Sequence, residues 1–285
     1  MPQPALYDAI LARRSVRRFD PTPLDEAQRW RLEEIVAGVK PLVPENSFAA
    51  PLVDVVPDGA VLASMGAYGR ILQPPHCLVP HIPQGRHVLI DLGFRVEQIA
   101  VRLVMLGIGS CYVGVLKDEV AAVKTFGLPL GTRIGALLAV GRPAPGLAAN
   151  LLGQLVRTAV GATNKLPAER IFFWERFDEP GSPQGDLAPL VEAARHAPSA
   201  DNAQPWQLLK RETTIYLFVR RFNRRYGPGH RQQYRFYDGG ICMANISMAM
   251  EAWDMGGQWA LLDGTEEDIP PHPEELQPLA RLDLR

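Results

Sequence analysis

Two long, mostly apolar helices are predicted over residues 91–106 and 240–253, and their similarity constrains the fold more than any other feature of the chain. The two align without a gap at an offset of 147 residues (238 less 91). The identities in that register are Asp91 with Asp238, Gly93 with Gly240, Ile99 with Ile246 and Gly109 with Gly256. Glycine follows each helix, as suits a helix end. The register predicts a duplicated unit.

The duplication predicts an α+β fold made of two degenerate repeats, each with a mostly antiparallel sheet packed by helices. The two long helices are expected to meet and to form the interface of a pseudo-dimer within one chain. We expect an N-terminal half over residues 1–150, a connecting arm over 151–186 and a C-terminal half over 187–285.

Shorter elements are predicted from the spacing of apolar residues and from proline and glycine. A first helix precedes the arginines of residues 13–18, and Asp25 is the expected N-cap of a second helix that ends near residue 39. The proline-rich residues 41–87 are predicted to be loop with short strands. The remaining predicted elements are strands over 110–115, 133–140, 206–209 and 214–219 and a helix over 187–196.

Composition and charge limit the classes of protein that fit. Of 285 residues, 47% are hydrophobic and 21% charged, which suits a globular protein with a sizeable core. The formal net charge of −1 gives no global attraction to nucleic acid or anionic lipid. We find no secretory signal and no uninterrupted apolar span, and the scattered Cys77, Cys111 and Cys242 fit a reducing compartment. A soluble, cytoplasmic protein without nucleic-acid or membrane partners is expected.

A basic motif, Arg13-Arg14-Ser15-Val16-Arg17, lies where the first helix passes into an extended segment. Guanidinium groups offer paired donors that match phosphate oxygens, and the serine hydroxyl adds another donor. The alternative interpretation is a solvated basic helix end, favourably placed against the helix dipole.

A polar loop over residues 197–206 (APSADNAQPW) is predicted between a helix and a strand. Pro198 and Pro205 fix φ near both ends, so the donors of the loop are held in place before a ligand binds. An ordinary turn is the alternative, because Ser, Asn, Asp and Pro dominate turns. The combination of Asn, Gln and Trp in this order is more than a turn requires.

Together, these motifs resemble the two sequence signatures of the FMN-dependent nitroreductase family. The matching patterns are Arg-Arg-Ser-x-Arg-x-Phe at 13–19 and Ala-Pro-Ser-x-x-Asn-x-Gln-Pro-Trp at 197–206. Ordinary members of that family are homodimers with two flavins, each held where the basic motif of one subunit faces the loop of the other. The resemblance implies a nitroreductase-like fold.

The two motifs stand 185 residues apart (199 less 14), and the duplication explains this separation. The first half keeps the basic motif, with residues 43–51 (VPENSFAAP) as a decayed remnant of the loop. The second half keeps the loop and lacks the basic motif before it. Two incomplete copies would build one complete site and lose the other, a pattern similar to the fused, pseudo-dimeric branch of the family. A monomer would then suffice.

The resemblance implies FMN as the cofactor, and it implies neither a catalytic side chain nor a metal. Arg17 corresponds to a cationic position near the pyrimidine edge of the flavin. The implied cofactor-binding residues are Arg13, Arg14, Ser15, Arg17, Ser110, Cys111, Tyr112, Gly114, Lys165, Pro198, Ser199 and Asn202.

Lys165 is implied as a phosphate ligand, because residues 163–167 are similar to the family's Lys-x-Arg-Leu-Pro. Only Lys165 keeps a positive charge, since Thr163 occupies the other basic position. A weaker hold on the phosphate is therefore expected. The alternative is a solvated surface lysine.

The reaction that the family implies is ping-pong. NADH or NADPH gives a hydride to the flavin and leaves, and an electron-poor acceptor such as a nitroaromatic or a quinone then takes it. The rival from another class is a flavin-binding or ligand-sensing protein without turnover. Bleaching of the bound flavin by NAD(P)H separates the two.

Three other patterns favour structural interpretations. The arginine-rich run over 220–235 contains aromatic residues that could stack on single-stranded nucleic acid, but its Gly-Pro-Gly turn at 227–229 favours a solvated hairpin. The six histidines show no metal-ligand spacing. Gly107 and Gly109 lack the third glycine and the preceding strand of a dinucleotide-binding fingerprint.

Overall fold

Two sheets flanked by helices make up the protein, whose computed structural model describes residues 3–145, 165–266 and 269–285. The helices are α1 (Pro4–Ala12), α2 (Glu26–Ala37), α3 (Ala60–Ser64), α4 (Ala67–Leu72), α5 (Val88–Met105), α6 (Glu119–Thr125), α7 (Leu187–His196) and α8 (Tyr234–Ala252). The strands are β1 (Leu52–Asp54), β2 (His76–Leu78), β3 (Gly109–Gly114), β4 (Ala136–Gly141), β5 (Phe172–Trp174), β6 (Trp206–Arg211), β7 (Thr214–Arg220), β8 (Gly257–Leu261) and β9 (Leu276–Leu284).

The two sheets share one topology. The first has the strand order β1-β2-β4-β3, and the second has the order β5-β6-β7-β9-β8. With β5 set aside, β6, β7, β9 and β8 take the places of β1, β2, β4 and β3, and every pair of neighbours in both sets is antiparallel. The predicted α+β fold of two repeats with mostly antiparallel sheets is confirmed.

Helices α5 and α8 pack against each other through the two matched glycines. A Cβ atom at Gly93 would overlap with the carbonyl oxygen of Tyr237, and one at Gly240 would overlap with the carbonyl oxygen of Ile90. Tyr237 and Ile90 are themselves 147 residues apart, so one contact is made twice about a pseudo-twofold axis. The prediction that the long helices form the interface of an internal pseudo-dimer is confirmed.

The ends of α5 and α8 keep the same register, although the residues that end them differ. Gly107 follows α5 in the left-handed region (φ 68°), and the residue 147 positions later, Asp254, does the same after α8 (φ 58°). The prediction that Gly256 and Gly257 end α8 is therefore wrong. Gly257 is the first residue of β8 and Gly256 comes just before it, and Gly109 is the first residue of β3.

Strand β5 lies within residues 151–186, which were expected to be a connecting arm. It joins the second sheet, where Phe172 pairs with Leu208 of β6 in the parallel sense. The chain that follows the first half thus completes the sheet of the second half. Residues 146–164, which include the first part of the expected arm, lie outside the described residues. The boundaries of the two halves therefore stay a prediction.

Sequence patterns located α2 well and the proline-rich segment poorly. The Asp25 side chain accepts a hydrogen bond from Gln28 N (2.8 Å), and Gln28 Oε1 accepts one from Asp25 N (3.2 Å), which caps α2 as predicted. Residues 41–87 contain β1 and β2, but also α3 and α4, which were not predicted.

The main core lies between the two sheets, where α1, α5, α7 and α8 meet. Ile10, Leu92 and Cys242 are fully buried there. None of the helices in the described part of the chain has the length and apolar character needed to cross a membrane.

Candidate active site

A cavity of about 380 Å³ lies between the two halves, beside the first turns of α8. Its volume is in the range of ligand-binding pockets. All the predicted cofactor-binding residues except Ser110 line it, namely Arg13, Arg14, Ser15, Arg17, Cys111, Tyr112, Gly114, Lys165, Pro198, Ser199 and Asn202. The fold thus brings together two motifs that are far apart in the sequence.

The basic motif reaches the cavity because the chain leaves α1 in an extended conformation. Arg13 caps the C-terminus of α1 with φ −56° and ψ 124°, and the residues after it run beside β3. Val16 N donates a hydrogen bond to Ser110 O (2.9 Å), and Ser15 forms a parallel bridge with Ser110. Ser110 therefore holds the backbone of the motif and is not part of the cavity wall.

Arg13 and Arg17 are both buried, with 9% of each residue exposed. Nε and Nη1 of both guanidinium groups have no hydrogen-bond partner among the described residues. Buried polar groups are nearly always hydrogen-bonded, so Arg13 Nη1 and the two Arg17 donors favour a bound molecule that supplies acceptors. An anionic or carbonyl-rich ligand in the cavity would supply them.

Glu97 on α5 stands behind the cavity, and sequence reasoning missed it. Its carboxylate is fully buried, with Oε1 3.3 Å from Arg13 Nε, an ion pair that lacks hydrogen-bond alignment. Tyr112 donates its hydroxyl to Glu97 Oε2 at 2.7 Å. Burial raises the pKa of Glu97 and the charge of Arg13 opposes that rise. The signal in the sequence was a carboxylate in the middle of a mostly apolar helix.

The polar loop has an unusual backbone for residues other than glycine. Asp201, Asn202 and Gln204 all have positive φ, at 51°, 54° and 44°. The loop is held by Ser199 Oγ, which accepts a hydrogen bond from Gln204 N (2.9 Å). Strained backbone of this kind concentrates at functional sites, which favours a binding loop over an ordinary turn.

Asp238 on α8 ties the polar loop to the helix interface. Its buried carboxylate accepts hydrogen bonds from Ala200 N (3.0 Å) and from the Tyr226 hydroxyl (2.7 Å). Burial raises the pKa of Asp238 to about 8, and these two hydrogen bonds oppose the rise.

Asp91, the counterpart of Asp238 on α5, holds the remnant loop of the first half. It accepts hydrogen bonds from Val43 N (3.3 Å) and Asn46 Nδ2 (3.1 Å), and it pairs with Arg95 Nε at 3.1 Å. Equivalent aspartates thus bind equivalent loops, which supports the interpretation of residues 43–51 as a remnant. In the first half, the asparagine of this remnant loop, Asn46, donates its hydrogen bond to Asp91.

Asp238→Asn should flatten the dependence of stability on pH. Because its pKa is higher in the folded protein (about 8) than the ordinary value of 3.8, Asp238 contributes stability below about pH 4 that is lost as pH rises through 8. Urea unfolding from pH 4 to 8 should show the wild type losing on the order of a few kcal/mol more than the variant.

Asp91→Asn is the matched control for that experiment. It leaves the buried Arg95 without its carboxylate and should lower the stability at pH 7. Equal slopes of stability against pH in the wild type and Asp238→Asn would contradict the assignment.

Lys165 lies in the cavity wall and is not a solvated surface lysine. Its Nζ donates hydrogen bonds to Ala197 O (2.7 Å) and His196 O (3.4 Å), at the end of α7. Burial and the nearby positive charge of Arg13 lower the pKa of Lys165 to about 7. An anion in the cavity would favour its charged form.

Arg231 is a further wall residue that sequence reasoning missed. It pairs with Asp201 Oδ2 at 2.6 Å, and Arg225 Nη1 donates to Asp201 O at 3.1 Å. The arginine-rich run is not the predicted hairpin but contains two 3₁₀ turns, Arg224–Tyr226 and Gly229–Gln233. The run therefore supports the polar loop.

Three tyrosines complete the wall: Tyr68 from α4 and Tyr234 and Tyr237 from α8. The Tyr234 hydroxyl accepts a hydrogen bond from Leu116 N (3.1 Å) and lies against Gly114, where a Cβ would overlap with it. The Tyr237 hydroxyl is buried without a hydrogen-bond partner among the described residues. Within residues 3–145, 165–266 and 269–285, no group of His, Cys, Asp and Glu is arranged to hold a metal ion.

Residues 5–249 match the family model described as "Putative TM nitroreductase". Because this match spans most of the chain, the protein belongs to that nitroreductase family. A comparison with curated proteins found no match.

Solved structures with similar folds include a "putative nitroreductase" from Thermotoga maritima, with 17% identity and a TM-score of 0.57 over 98% of this chain and 93% of that one. Nitroreductase A from Vibrio parahaemolyticus matches 50% of this chain and 69% of its own, with 20% identity and a TM-score of 0.44. A nitroreductase from Bacteroides fragilis with bound FMN matches 50% and 90%, with 18% identity and a TM-score of 0.42.

Proposed function

We propose that this protein is an FMN-dependent oxidoreductase that transfers a hydride from NADH or NADPH to an electron-poor acceptor such as a nitroaromatic or a quinone. One observation carries the proposal: two motifs 185 residues apart line a single cavity, in which donors of the buried Arg13 and Arg17 have no hydrogen-bond partner among the described residues. Membership of a nitroreductase family supports the reaction class.

The residues of the cavity fit FMN, whose phosphate, ribityl hydroxyls and pyrimidine carbonyls are all acceptors. Arg13 and Lys165, whose charges influence each other, would hold the phosphate. Arg17 would lie at the pyrimidine edge, where its positive charge favours negative charge on the ring. FMN would supply the electron-pair chemistry when bound, and the protein would bind and orient it.

The surrounding residues would keep the site rigid. Glu97 and Tyr112 fix Arg13 from behind, and Asp238 fixes the polar loop through Ala200 N. A site held by such contacts needs little rearrangement when the ligand binds. We propose that this one chain, as a monomer, completes the site.

Titration of the apoprotein with FMN should give one FMN per chain, because each motif occurs once. Anaerobic addition of NADH or NADPH should then bleach the flavin absorbance, and a quinone should restore it. The stoichiometry should not depend on protein concentration, since both motifs lie on one chain.

Two outcomes would count against these expectations. A stoichiometry near two per chain would exclude the composite site. A bound FMN that neither NADH nor NADPH bleaches would favour the flavin-sensing alternative over the enzyme.

A further inference from the structure

Asp91 and Asp238 take equivalent places in the two repeats, but only Asp91 is paired with a cation. Asp91 accepts a hydrogen bond from Leu42 N (2.9 Å) and pairs with Arg95 Nε at 3.1 Å, one helical turn further along α5. The residue 147 positions after Arg95 is Cys242, which is fully buried and brings no positive charge. Among the described residues, no Lys, Arg or His forms an ion pair with Asp238. The two repeats thus leave one carboxyl group neutralised and the other uncompensated.

The two oxygens of the Asp238 carboxyl group have different surroundings. Ala200 N (3.0 Å) and the Tyr226 hydroxyl (2.7 Å) both donate to Oδ2. Oδ1 has no hydrogen-bond partner within the part of the chain that the structure describes. Asp238 also lines the active-site cavity. Because both protein donors lie on Oδ2, Oδ1 is the oxygen that is left for a bound molecule.

The groups around Asp238 favour its neutral form. Burial raises its pKa to about 8, and the negative charge of Asp201 adds to the rise, while the two hydrogen bonds at Oδ2 oppose it. The titratable side chains that influence Asp238 come from the polar loop, the first 3₁₀ turn and α8 itself, and they are Asp201, Tyr226, Tyr234 and Tyr237. At neutral pH the carboxyl group is therefore mostly protonated, and with Oδ2 occupied as an acceptor its proton belongs on Oδ1.

We propose that Asp238 is a ligand-binding donor, whose neutral carboxyl group gives a hydrogen bond from Oδ1 to a carbonyl oxygen of the molecule in the cavity. This assignment rests on the proposed function, in which the carbonyl oxygen belongs either to the flavin ring or to a quinone acceptor. The opposite arrangement is an ionised carboxylate that accepts a hydrogen bond from the ligand. The two differ in sign: rising pH removes the proton and weakens binding to a neutral donor, whereas it strengthens binding to an ionised acceptor.

Fluorescence titration of the apoprotein with FMN at pH 7 and pH 9 measures this sign. From pH 7 to 9 the affinity of the wild type should fall roughly tenfold more than that of Asp238→Asn, because only the wild type loses a proton with a pKa of about 8. Asparagine keeps an oxygen for the two bonds at Oδ2 and places an amide donor where Oδ1 was, so the two proteins should bind FMN alike at pH 7. Lys165, whose pKa is about 7, titrates in both proteins, and its effect cancels in the comparison.

The source of the carbonyl oxygen follows from a second measurement on the FMN-loaded protein. If the oxygen belongs to the flavin, the tenfold difference appears in FMN affinity. If it belongs to the acceptor, FMN affinity is the same in both proteins at both pH values, and the difference appears in KM for the quinone menadione at pH 9.

Tyr226→Phe is a second variant that acts on the same proton from outside the cavity wall. It removes one of the two hydrogen bonds that oppose the rise in the pKa of Asp238, so it should move the midpoint of the pH-dependent loss of binding above 8. An aspartate that only held the polar loop would leave this midpoint unchanged. Asp118→Asn is the matched control, because it makes the same substitution at an exposed aspartate of the cavity wall and should keep the wild-type ratio between pH 7 and pH 9.

Three results would overturn the assignment of Asp238 as a donor. They are equal pH dependence of FMN affinity and of KM in the wild type and Asp238→Asn, a wild-type affinity that rises towards pH 9, and a loss of FMN binding in Asp238→Asn at pH 7. An apoprotein that binds no FMN at either pH would reject the proposed function itself and the assignment with it.

Discussion

Gly93→Ala and Gly240→Ala should each destabilise the protein by more than about 3 kcal/mol, and by similar amounts. Either methyl group would overlap with a backbone carbonyl of the facing helix, which cannot move without separating α5 from α8. An alanine normally stabilises a helix by about 1 kcal/mol relative to glycine. A loss of stability therefore reports the contact between helices and not a local preference.

Gly239→Ala provides the control within α8. Its added methyl group would meet the side chains of Leu279 and Val219 and no backbone atom of the facing helix. We expect a change within about 1 kcal/mol, because the better helix propensity offsets the crowding. Urea unfolding followed by circular dichroism measures all three variants. Wild-type stability in Gly93→Ala would contradict the close approach of the helices.

Arg13→Ala should weaken FMN binding by about one to two decades, because hydrogen bonds to a charged group are worth about 1.5–3 kcal/mol. The same substitution leaves the fully buried Glu97 without its cation, so part of any effect could come from the fold. Fluorescence titration of the apoprotein with FMN measures the affinity, and urea unfolding measures the stability.

The double variant Arg13→Ala/Glu97→Gln separates the two effects. Glutamine keeps the shape and can still accept the Tyr112 hydroxyl, while the buried charge is gone. Stability should recover relative to Arg13→Ala, and FMN affinity should stay low. Recovery of both stability and FMN affinity in the double variant would show that Arg13 acts through the fold. Wild-type FMN affinity in Arg13→Ala alone would instead show that the basic motif is only a structural helix end.

Sequence patterns predicted the repeat because its signal is local and periodic. Each long helix carries its own apolar pattern, and the glycines that allow close packing fall in the same register. Strand β5 could not be found in this way, since three residues carry little periodicity and their partner in β6 lies more than thirty residues away. The end of α8 at Asp254, whose backbone is left-handed, was missed because the glycines expected to end the helix begin two residues further on.

The motifs located most of the candidate site, and a wrong helix boundary hid the rest. Predicting that α8 begins at residue 240 left Tyr234, Tyr237 and Asp238 outside any element, whereas the helix begins at Tyr234. The polar and glycine residues of that first turn obscure the apolar spacing. Glu97 was assigned to a buried helix, but periodicity does not show which side chain a buried carboxylate faces.

The packing of α5 on α8 bears on how the chain folds as it is synthesised. The ribosome completes α5 at Met105 and begins α8 only at Tyr234, a gap of 129 residues or roughly 6 to 26 s of translation. During that interval the face of α5 that packs on α8 has no partner, which makes the nascent first half a substrate for chaperones. Slowing translation between the two helices should therefore lengthen chaperone association and increase aggregation, even though it alters no residue of the finished protein.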